Sequence, residues 1–196
     1  MIRSPLPYTE TLKDGAPALL RLATAADAEA MWRLERAVVA AGHGVVRTLD
    51  DLPSQEAFTE RLTQRLARPD RGDRGALVLA VDPAKGAVMA IGEVWRLGPT
   101  WVRHVASLSL EVHPEHQRRG VGRATLDALL GWVEHGGGAA APPVTRLDLS
   151  VRADNPRAQR LYASAGFVQE SVRVGFIRTA DGGLRDDMVM VRFFER

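Results

Sequence analysis

The chain has 196 residues with 26 Lys/Arg against 24 Asp/Glu, a formal charge of +2, 45% hydrophobic residues and no cysteine. At roughly 150 residues per domain this is the length of one domain, 1–196, large enough to bury about 70% of its unfolded surface. The composition excludes a disordered or collagen-like chain, the missing cysteines exclude a disulfide framework, thiolate metal sites and a Cys nucleophile, and so small a net charge argues against nucleic acid as a partner.

Tyr8 to Lys13 and Ala18 to Ala23 flank Asp14-Gly15 and read as an N-terminal hairpin arm over about 1–17. Thr24 with Asp27 predicts a helix start, and Ala28, Met31, Trp32, Leu34, Val38 and Val39 continue at helical spacing to Gly42. After a loop, His43 to Pro53, Phe58, Leu62 and Leu66 recur every four residues in a second helix from Ser54, stopped by Pro69 and the charged run Asp70 to Arg74. Ala76 to Val81, Ala87 to Leu97 and Arg103 to Val112 read as strands of an antiparallel meander, turning at Asp82 to Gly86 and Gly98 to Thr100. A third helix runs from Gly120 to His135, then a strand from Val144 to Val151. Asn155 as N-cap, Pro156 at the first helical position and Gly166 as stop frame a fourth helix, followed by strands Phe167 to Arg178 and Asp187 to Phe194. The expected fold is α/β: a mostly antiparallel mixed sheet of about seven strands with about four helices on its faces.

No run approaches the ~18 apolar residues of a membrane span, and MIRSPLPYTE lacks the apolar core of a secretory signal, so the expectation is a cytoplasmic protein without a membrane partner. A homodimer is open, with no interface legible. The cations are almost all arginine; Lys13 and Lys85 are the two lysines, and the lysine-bearing phosphate loop is absent.

The chemistry concentrates where a strand runs through an Arg-rich loop into a helix, Leu108 to Arg123. A helix start with Gly120 and Gly122 presents free N–H groups, and Arg118, Arg119 and Arg123 add donors suited to phosphate. The plainer alternative is a helix start with solvated arginines. The dinucleotide motif is excluded, because Thr125 stands where a third glycine belongs.

Gln117-Arg118-Arg119-Gly120-Val121-Gly122 resembles the pyrophosphate motif Q/R-x-x-G-x-G/A of the GNAT superfamily of acyl-CoA-dependent N-acetyltransferases. Asn155-Pro156-Arg157-Ala158, Leu161-Tyr162 and Ala165-Gly166-Phe167 resemble its second motif. The resemblance covers about Arg21 to Phe194. It implies acetyl-CoA as co-substrate and a sheet splayed at the cofactor cleft between Arg103–Val112 and Val144–Val151. It places backbone groups of Leu110, Glu111 and Val112 on the pantetheine, N–H groups from Arg118 to Arg123 (including Val121) with Gln117 on the pyrophosphate, and Asn155 on the pantetheine side. Asn155 is equally a plain N-cap.

The resemblance makes Tyr162 the acid that protonates the leaving thiolate; on spacing alone it is as well a core tyrosine on the stripe of Ala158, Leu161 and Ala165. Several relatives carry Glu where this chain has Ser107. If the Leu97–Arg103 turn closes symmetrically, Glu93 lies across from Ser107 and can replace it as general base, with Glu111 or a water chain as alternatives; both glutamates could instead pair with Arg96 or Arg103. His113 and His116 have ligand-like spacing without a third ligand, so no metal is expected. The tryptophans Trp32, Trp95 and Trp132 read as core, and Trp101 as an exposed turn residue near a substrate mouth.

The function expected is acetyl transfer from acetyl-CoA to a primary amine of a small molecule or amino acid by direct transfer. The alternatives are a non-catalytic acyl-CoA-binding module and a protein N-terminal or lysine acetyltransferase. The resemblance implies that the acceptor is set by the helix 1 to helix 2 loop, His43–Pro53, with His43, Arg47, Asp50 and Asp51, and by the last strand pair, Arg178–Asp187.

Overall fold

The computed structural model describes residues 5–42, 44–68, 75–136 and 142–195. The readings of His43, Pro69, the Asp70–Arg74 run and the glycine stop at Gly137 and Gly138 fall outside them. The strands are β1 (Tyr8–Thr11), β2 (Pro17–Leu22), β3 (Gly75–Val81), β4 (Val88–Arg96), β5 (Val105–Val112), β6 (Arg146–Arg152), β7 (Val168–Arg178) and β8 (Leu184–Phe193). The α-helices among the described residues are α1 (Ala28–Ala41), α2 (Gln55–Leu66), α3 (Val121–Glu134) and α4 (Pro156–Ala163). All eight strands join one sheet in the order β1-β2-β3-β4-β5-β6-β8-β7. The count exceeds the expected seven because both strands of the N-terminal hairpin enter the sheet, β2 pairing with β3 from Leu19↔Val81 to Leu22↔Val78.

Local signals account for the helix ends. Before α1, the Asp27 carboxylate accepts from the Thr24 amide at 2.8 Å and is gripped by both terminal nitrogens of Arg21 at 2.8 and 2.6 Å. Gly42, with φ 68°, closes α1 in the left-handed conformation. Ser54 Oγ caps α2 by accepting from Ala57 N at 3.3 Å, and Asn155 Oδ1 caps α4 by accepting from Ala158 N at 3.1 Å.

Two cores lie on opposite faces of the sheet. On one, Val121, Leu126 and Leu129 of α3 pack with Val78, Ala90, Val94 and Leu108, together with Tyr162 and Phe167. On the other, Met31, Leu34 and Val38 of α1 and Leu62 of α2 cover Leu77, Leu79 and Ile91. Strand alternation therefore fixes which side chains meet which helices: Leu108, Leu110 and Val112 look toward α3, and Ser109 and Glu111 look toward α1 and α2.

The β4–β5 register differs from the symmetric expectation. Glu93 pairs with Ser109, and Ser107 pairs with Trp95. A 3-10 turn at Thr100–Val102 lengthens the connection, so β5 begins at Val105 rather than Arg103 and the turn centres on Trp101. Moving the centre by one residue moves each partner by two, which leaves Glu93 on its expected face but opposite a different serine.

Candidate active site

β5 and β6 are the one parallel pair in the sheet, and they pair only at Val105↔Arg146, Ala106↔Leu147 and Ser107↔Asp148. Beyond Ser107 the two strands part, while β5 stays paired with β4 as far as Val112↔Ala90. The wedge between them is lined on one side by unpartnered backbone. The Leu97 amide donates to Val105 O at 3.2 Å and the His113 amide to Met89 O at 2.9 Å, so odd-numbered residues of β5 address β4. By alternation the N–H and C=O of Leu110 and the N–H of Val112 point into the wedge, whereas the backbone of Glu111 faces β4. Glu111 enters the site through its side chain.

At the mouth of the wedge β5 runs into α3. Gly120 is the N-cap with φ 95°, and Arg118, with φ 65°, is the one non-glycine residue at positive φ among those described. This turn aims the first helical amides outward; those of Val121, Gly122 and Arg123 have no intrahelical acceptor, the first such bond being Ala124 N to Gly120 O at 3.0 Å. A Cβ on Gly120 would lie 3.2 Å from Lys13 Cγ, and the Lys13 amide donates to Arg119 O at 3.0 Å. The hairpin turn thus buttresses the helix start. A Cβ on Gly122 would lie 3.2 Å from Val112 Cγ2, so glycine lets α3 approach β5 closely.

The arginines divide. Arg119 donates to Asp14 at 2.5 Å and contacts His116 Nδ1 at 2.8 Å, and Arg123 donates to Asp127 at 2.9 Å and Ser164 Oγ at 3.1 Å. Arg118 is exposed, with no side-chain partner among the described residues. Gln117 bridges the wedge, its Nε2 donating to Val112 O at 3.4 Å and its Oε1 accepting from Arg157 of α4 at 3.0 Å. Outward amides, a wedge with free strand groups and glycine where the backbone must approach make a fit for a pyrophosphate with an extended acyl arm.

Tyr162 lies on α4 beyond the wedge, 6% exposed, with its ring 5.9 Å from that of Phe167 in an edge-on contact. Burial pushes its hydroxyl up to about 12. The hydroxyl makes no hydrogen bond among the described residues, yet its oxygen is not sealed from solvent. It is therefore packed as a core ring with its hydroxyl oxygen still reached by solvent. Asn155 Oδ1 is committed to its cap, and its amide nitrogen lies against Gly44 of the α1–α2 loop.

On the α1/α2 face a cavity of about 720 Å³ opens beside the wedge, lined among others by Glu35, Asp51, Glu93 and Glu111 facing Arg47, Arg61 and Arg65. Glu93 is held by Arg65 at 3.1 and 2.5 Å, in place of the expected Arg96 or Arg103; Arg96 instead donates to the carbonyls of Arg103 and Pro142. Glu111 accepts from Arg47 at 2.5 Å, and Arg47 also reaches Glu35 at 3.1 Å. Burial raises the Glu111 carboxyl above its ordinary value; Arg47 pulls it down and the Glu35 charge pushes it up. Arg47 and Asp51 of the expected acceptor loop line the cavity, whereas Arg178–Asp187 does not.

Sequence reading missed Glu35, Arg61 and Arg65. Their signal was charge at helical spacing from apolar positions: Glu35 follows Met31 by four residues, and Arg61 and Arg65 follow Phe58 by three and seven. Trp95, read as core, is 38% exposed and lines the cavity, and Trp101 is 91% exposed in its turn. The His113 and His116 rings lie 5.5 Å apart, and no group of three or more ligand side chains among the described residues is arranged to hold a metal. No helix among them is long and apolar enough to cross a membrane.

A split mixed sheet with a helix N-terminus at its mouth and a charged cavity behind it defines an acyl-CoA-binding acyltransferase fold. The family model described as "Acetyltransferase (GNAT) family" matches residues 43–167, and the chain belongs to that family. Ribosomal protein bS18-alanine N-acetyltransferase of Escherichia coli K12 is 31% identical over 147 residues, 72% of this chain and 89% of that protein. An acetyltransferase of the GNAT family from Streptococcus pneumoniae shares the fold with a TM-score of 0.78 at 22% identity, over 90% of this chain and 99% of that one. A phosphinothricin acetyltransferase from Sinorhizobium meliloti, solved in complex with acetyl-CoA, shares it with a TM-score of 0.73 at 23% identity, over 90% and 88%. The protein is an acyl-CoA-dependent acetyltransferase that uses acetyl-CoA as acetyl donor to an amine.

Proposed function

We propose that the protein acetylates the primary amine of a small acceptor bearing both charges, an amino acid or related zwitterion, by direct transfer in a ternary complex. The observation that carries this reading is the cavity beside the wedge, where four carboxylates face three arginines. Arg61 makes no ion pair among the described residues and suits an acceptor carboxylate at the mouth. On this reading 1–196 is one catalytic domain, its hairpin supporting the pyrophosphate turn through Lys13 and Asp14.

The acetyl group reaches the cavity through the wedge. Leu110 and Val112 amides orient the acyl arm and polarise the carbonyl, and the α3 amides hold the pyrophosphate, with Asn155 flanking the pantetheine path. Holding both reactants in line supplies most of the acceleration. A carboxylate takes one proton from the acceptor ammonium, the freed nitrogen forms the new C–N bond as the C–S bond breaks, Tyr162 gives its proton to the departing sulfur, and the second proton that the nitrogen sheds on becoming an amide restores the Tyr162 hydroxyl by way of solvent.

Two glutamates can serve as base. Glu93 and Glu111 are equally half-buried, 22% and 21% exposed at their side chains, but Glu93 is gripped by Arg65 through both carboxylate oxygens, whereas Glu111 is on the strand that lines the wedge and desolvation raises its proton affinity, which matches a base working near neutrality better. We assign the proton to Glu111 and the outer, acceptor-holding role to Glu93. Thiol release from acetyl-CoA should be measured against amino acids, polyamines, aminoglycosides and peptides, with wild type, Glu111→Gln and Glu93→Gln. A base must be deprotonated to act, and a raised carboxyl places the rising limb of kcat/KM above the ordinary carboxylate value of about 4.3. Glu111→Gln should erase that limb and Glu93→Gln should keep it; the reverse would return the role to Glu93, and no thiol release with any small amine would end the acceptor assignment. A second reading, a protein N-terminal amine, is favoured by the similarity to an enzyme named for ribosomal protein alanine. Turnover confined to a peptide beginning with alanine would establish it.

A further inference from the structure

Resting on that reading of the cavity, we infer that Arg47 is a built-in stand-in for the acceptor's ammonium group. Its guanidinium occupies the place between Glu35 and Glu111 that the acceptor amine must take, and this selects acceptors with a carboxylate near the amine.

Three observations lead there. Glu111 is the half-buried carboxylate on the parted end of β5, and the cation it holds is neither on its own strand nor on a packed helix. Arg47 comes from the α1–α2 loop and donates to Glu111 at 2.5 Å and Glu35 at 3.1 Å. Glu35 and Glu111 are 19% and 21% exposed at their side chains, whereas Arg47 is 37% exposed, so the carboxylates are fixed in the wall and the cation reaches in from outside. The loop is tethered near its two ends, by Arg152 donating to Val45 O at 2.9 Å and by Trp32 Nε1 donating to Pro53 O at 3.1 Å, and Gly42 and Gly44 at its start both have positive φ. Arg47 sits between the Val45 tether and the Thr48–Asp51 turn, in which the Thr48 amide and hydroxyl donate to Asp51 at 2.7 and 2.9 Å, so the exchange is a rotation of the long Arg47 side chain on a held backbone.

The exchange conserves charge. Two carboxylates that share one guanidinium before binding share one ammonium after it, so neither is left buried without a counter-charge. A neutral acceptor group could not make that exchange. The displaced guanidinium stays on its loop at the rim, where with Arg61 it meets the acceptor's own carboxylate. A plain monoamine or a polyamine pushes Arg47 out without giving it a new partner, whereas an α-amino acid supplies both halves of the exchange.

The test needs neither turnover nor acetyl-CoA. n-Propylammonium chloride and glycine are titrated into wild type, Arg47→Gln and Arg47→Gln/Glu35→Gln and followed by backbone amide shifts, with sodium chloride as control. Arg47→Gln should bind propylammonium about tenfold more tightly than wild type, the size expected when one charge-assisted competitor is removed. The double variant should lose that gain, and the wild-type preference for glycine over propylammonium should shrink in both variants to the part that Arg61 supplies. Arg47→Lys, which keeps the competing charge on the loop, should stay within about threefold of wild type for propylammonium. Equal propylammonium affinity in wild type and Arg47→Gln, or shifts that map away from β5 and α1, would overturn the inference. If the titrations behave as expected while no small amine is acetylated, the acceptor assignment fails and the stand-in role survives; if turnover is found and the titrations do not change, the stand-in role alone fails.

Discussion

Tyr162 is the residue at which packing and the proposed chemistry can be separated by a single atom. Its ring fills the core against Phe167, and burial pushes its hydroxyl up to about 12, so it holds a transferable proton throughout the working pH range. Tyr162→Phe keeps the ring volume and removes only that proton. Turnover should fall about 100-fold or more with acetyl-CoA affinity unchanged, and the wild-type rate should show no falling limb from this group up to about pH 10. A Phe variant within about threefold of wild type would leave Tyr162 a core residue only. Gly120 offers a second test at this scale. Its φ of 95° costs any residue with a Cβ on the order of 1–2 kcal/mol, so loss of stability alone would say nothing about the cofactor. Gly136, at φ 104° in open space just past the opposite end of α3, supplies the control. Alanine at either position should destabilise comparably, but only Gly120→Ala should weaken acetyl-CoA in calorimetry. Equal affinities in the two variants would remove the turn from the cofactor site.

Among the elements, β5 carries the argument, because it is paired with β4 along its length and with β6 only over three residues. Backbone groups that have no partner exchange quickly with solvent. The Leu110 and Val112 amides should therefore exchange faster than that of Glu111 in the free protein and slow on adding acetyl-CoA. Unaltered exchange at both positions with the ligand bound would place the acyl arm elsewhere. The start of α1 gives a prediction about stability. Arg21, followed by the Thr24 backbone and hydroxyl, holds the Asp27 carboxyl at about 2, below its unfolded value of 3.8. A depressed folded value means stability that is present above about pH 4 and lost as pH falls toward 2, amounting to about 2 kcal/mol when fully present. Asp27→Asn should lower the melting temperature at pH 6, and the gap to wild type should close between about pH 4 and 2. A gap that stays constant across that range would mean the pair contributes by shape alone.

At the scale of the molecule, the wedge exists because β5 and β6 diverge while the helices hold the two halves of the sheet from opposite faces. A ligand bridging β5, α3 and α4 binds only the folded chain. Acetyl-CoA at a hundredfold excess over its Kd should add about 2.7 kcal/mol, a rise of roughly 5–11 °C in Tm for a chain of this size. The rise should be halved or worse in Gly120→Ala; an equal rise would separate cofactor binding from the α3 turn.

Sequence by itself determined what is local or repeats with the period of an element. Thr24 with Asp27, Asn155 with Pro156 and the Gln117–Gly122 turn act within a few residues, so their roles as caps and as a helix start were legible before any tertiary contact, as was the face on which Glu93 lies. Tertiary structure decided everything that depends on how far a connection reaches. The extra 3-10 residues at Thr100–Val102 moved Glu93 from Ser107 to Ser109. The partner of Glu93 came from α2, 28 residues away, and the partner of Glu111 from a loop 64 residues away. Ion pairing is a matter of spatial distance and shared burial, and sequence separation sets neither. That is why the helix-start turn could be read from one dimension and the charged cavity required three.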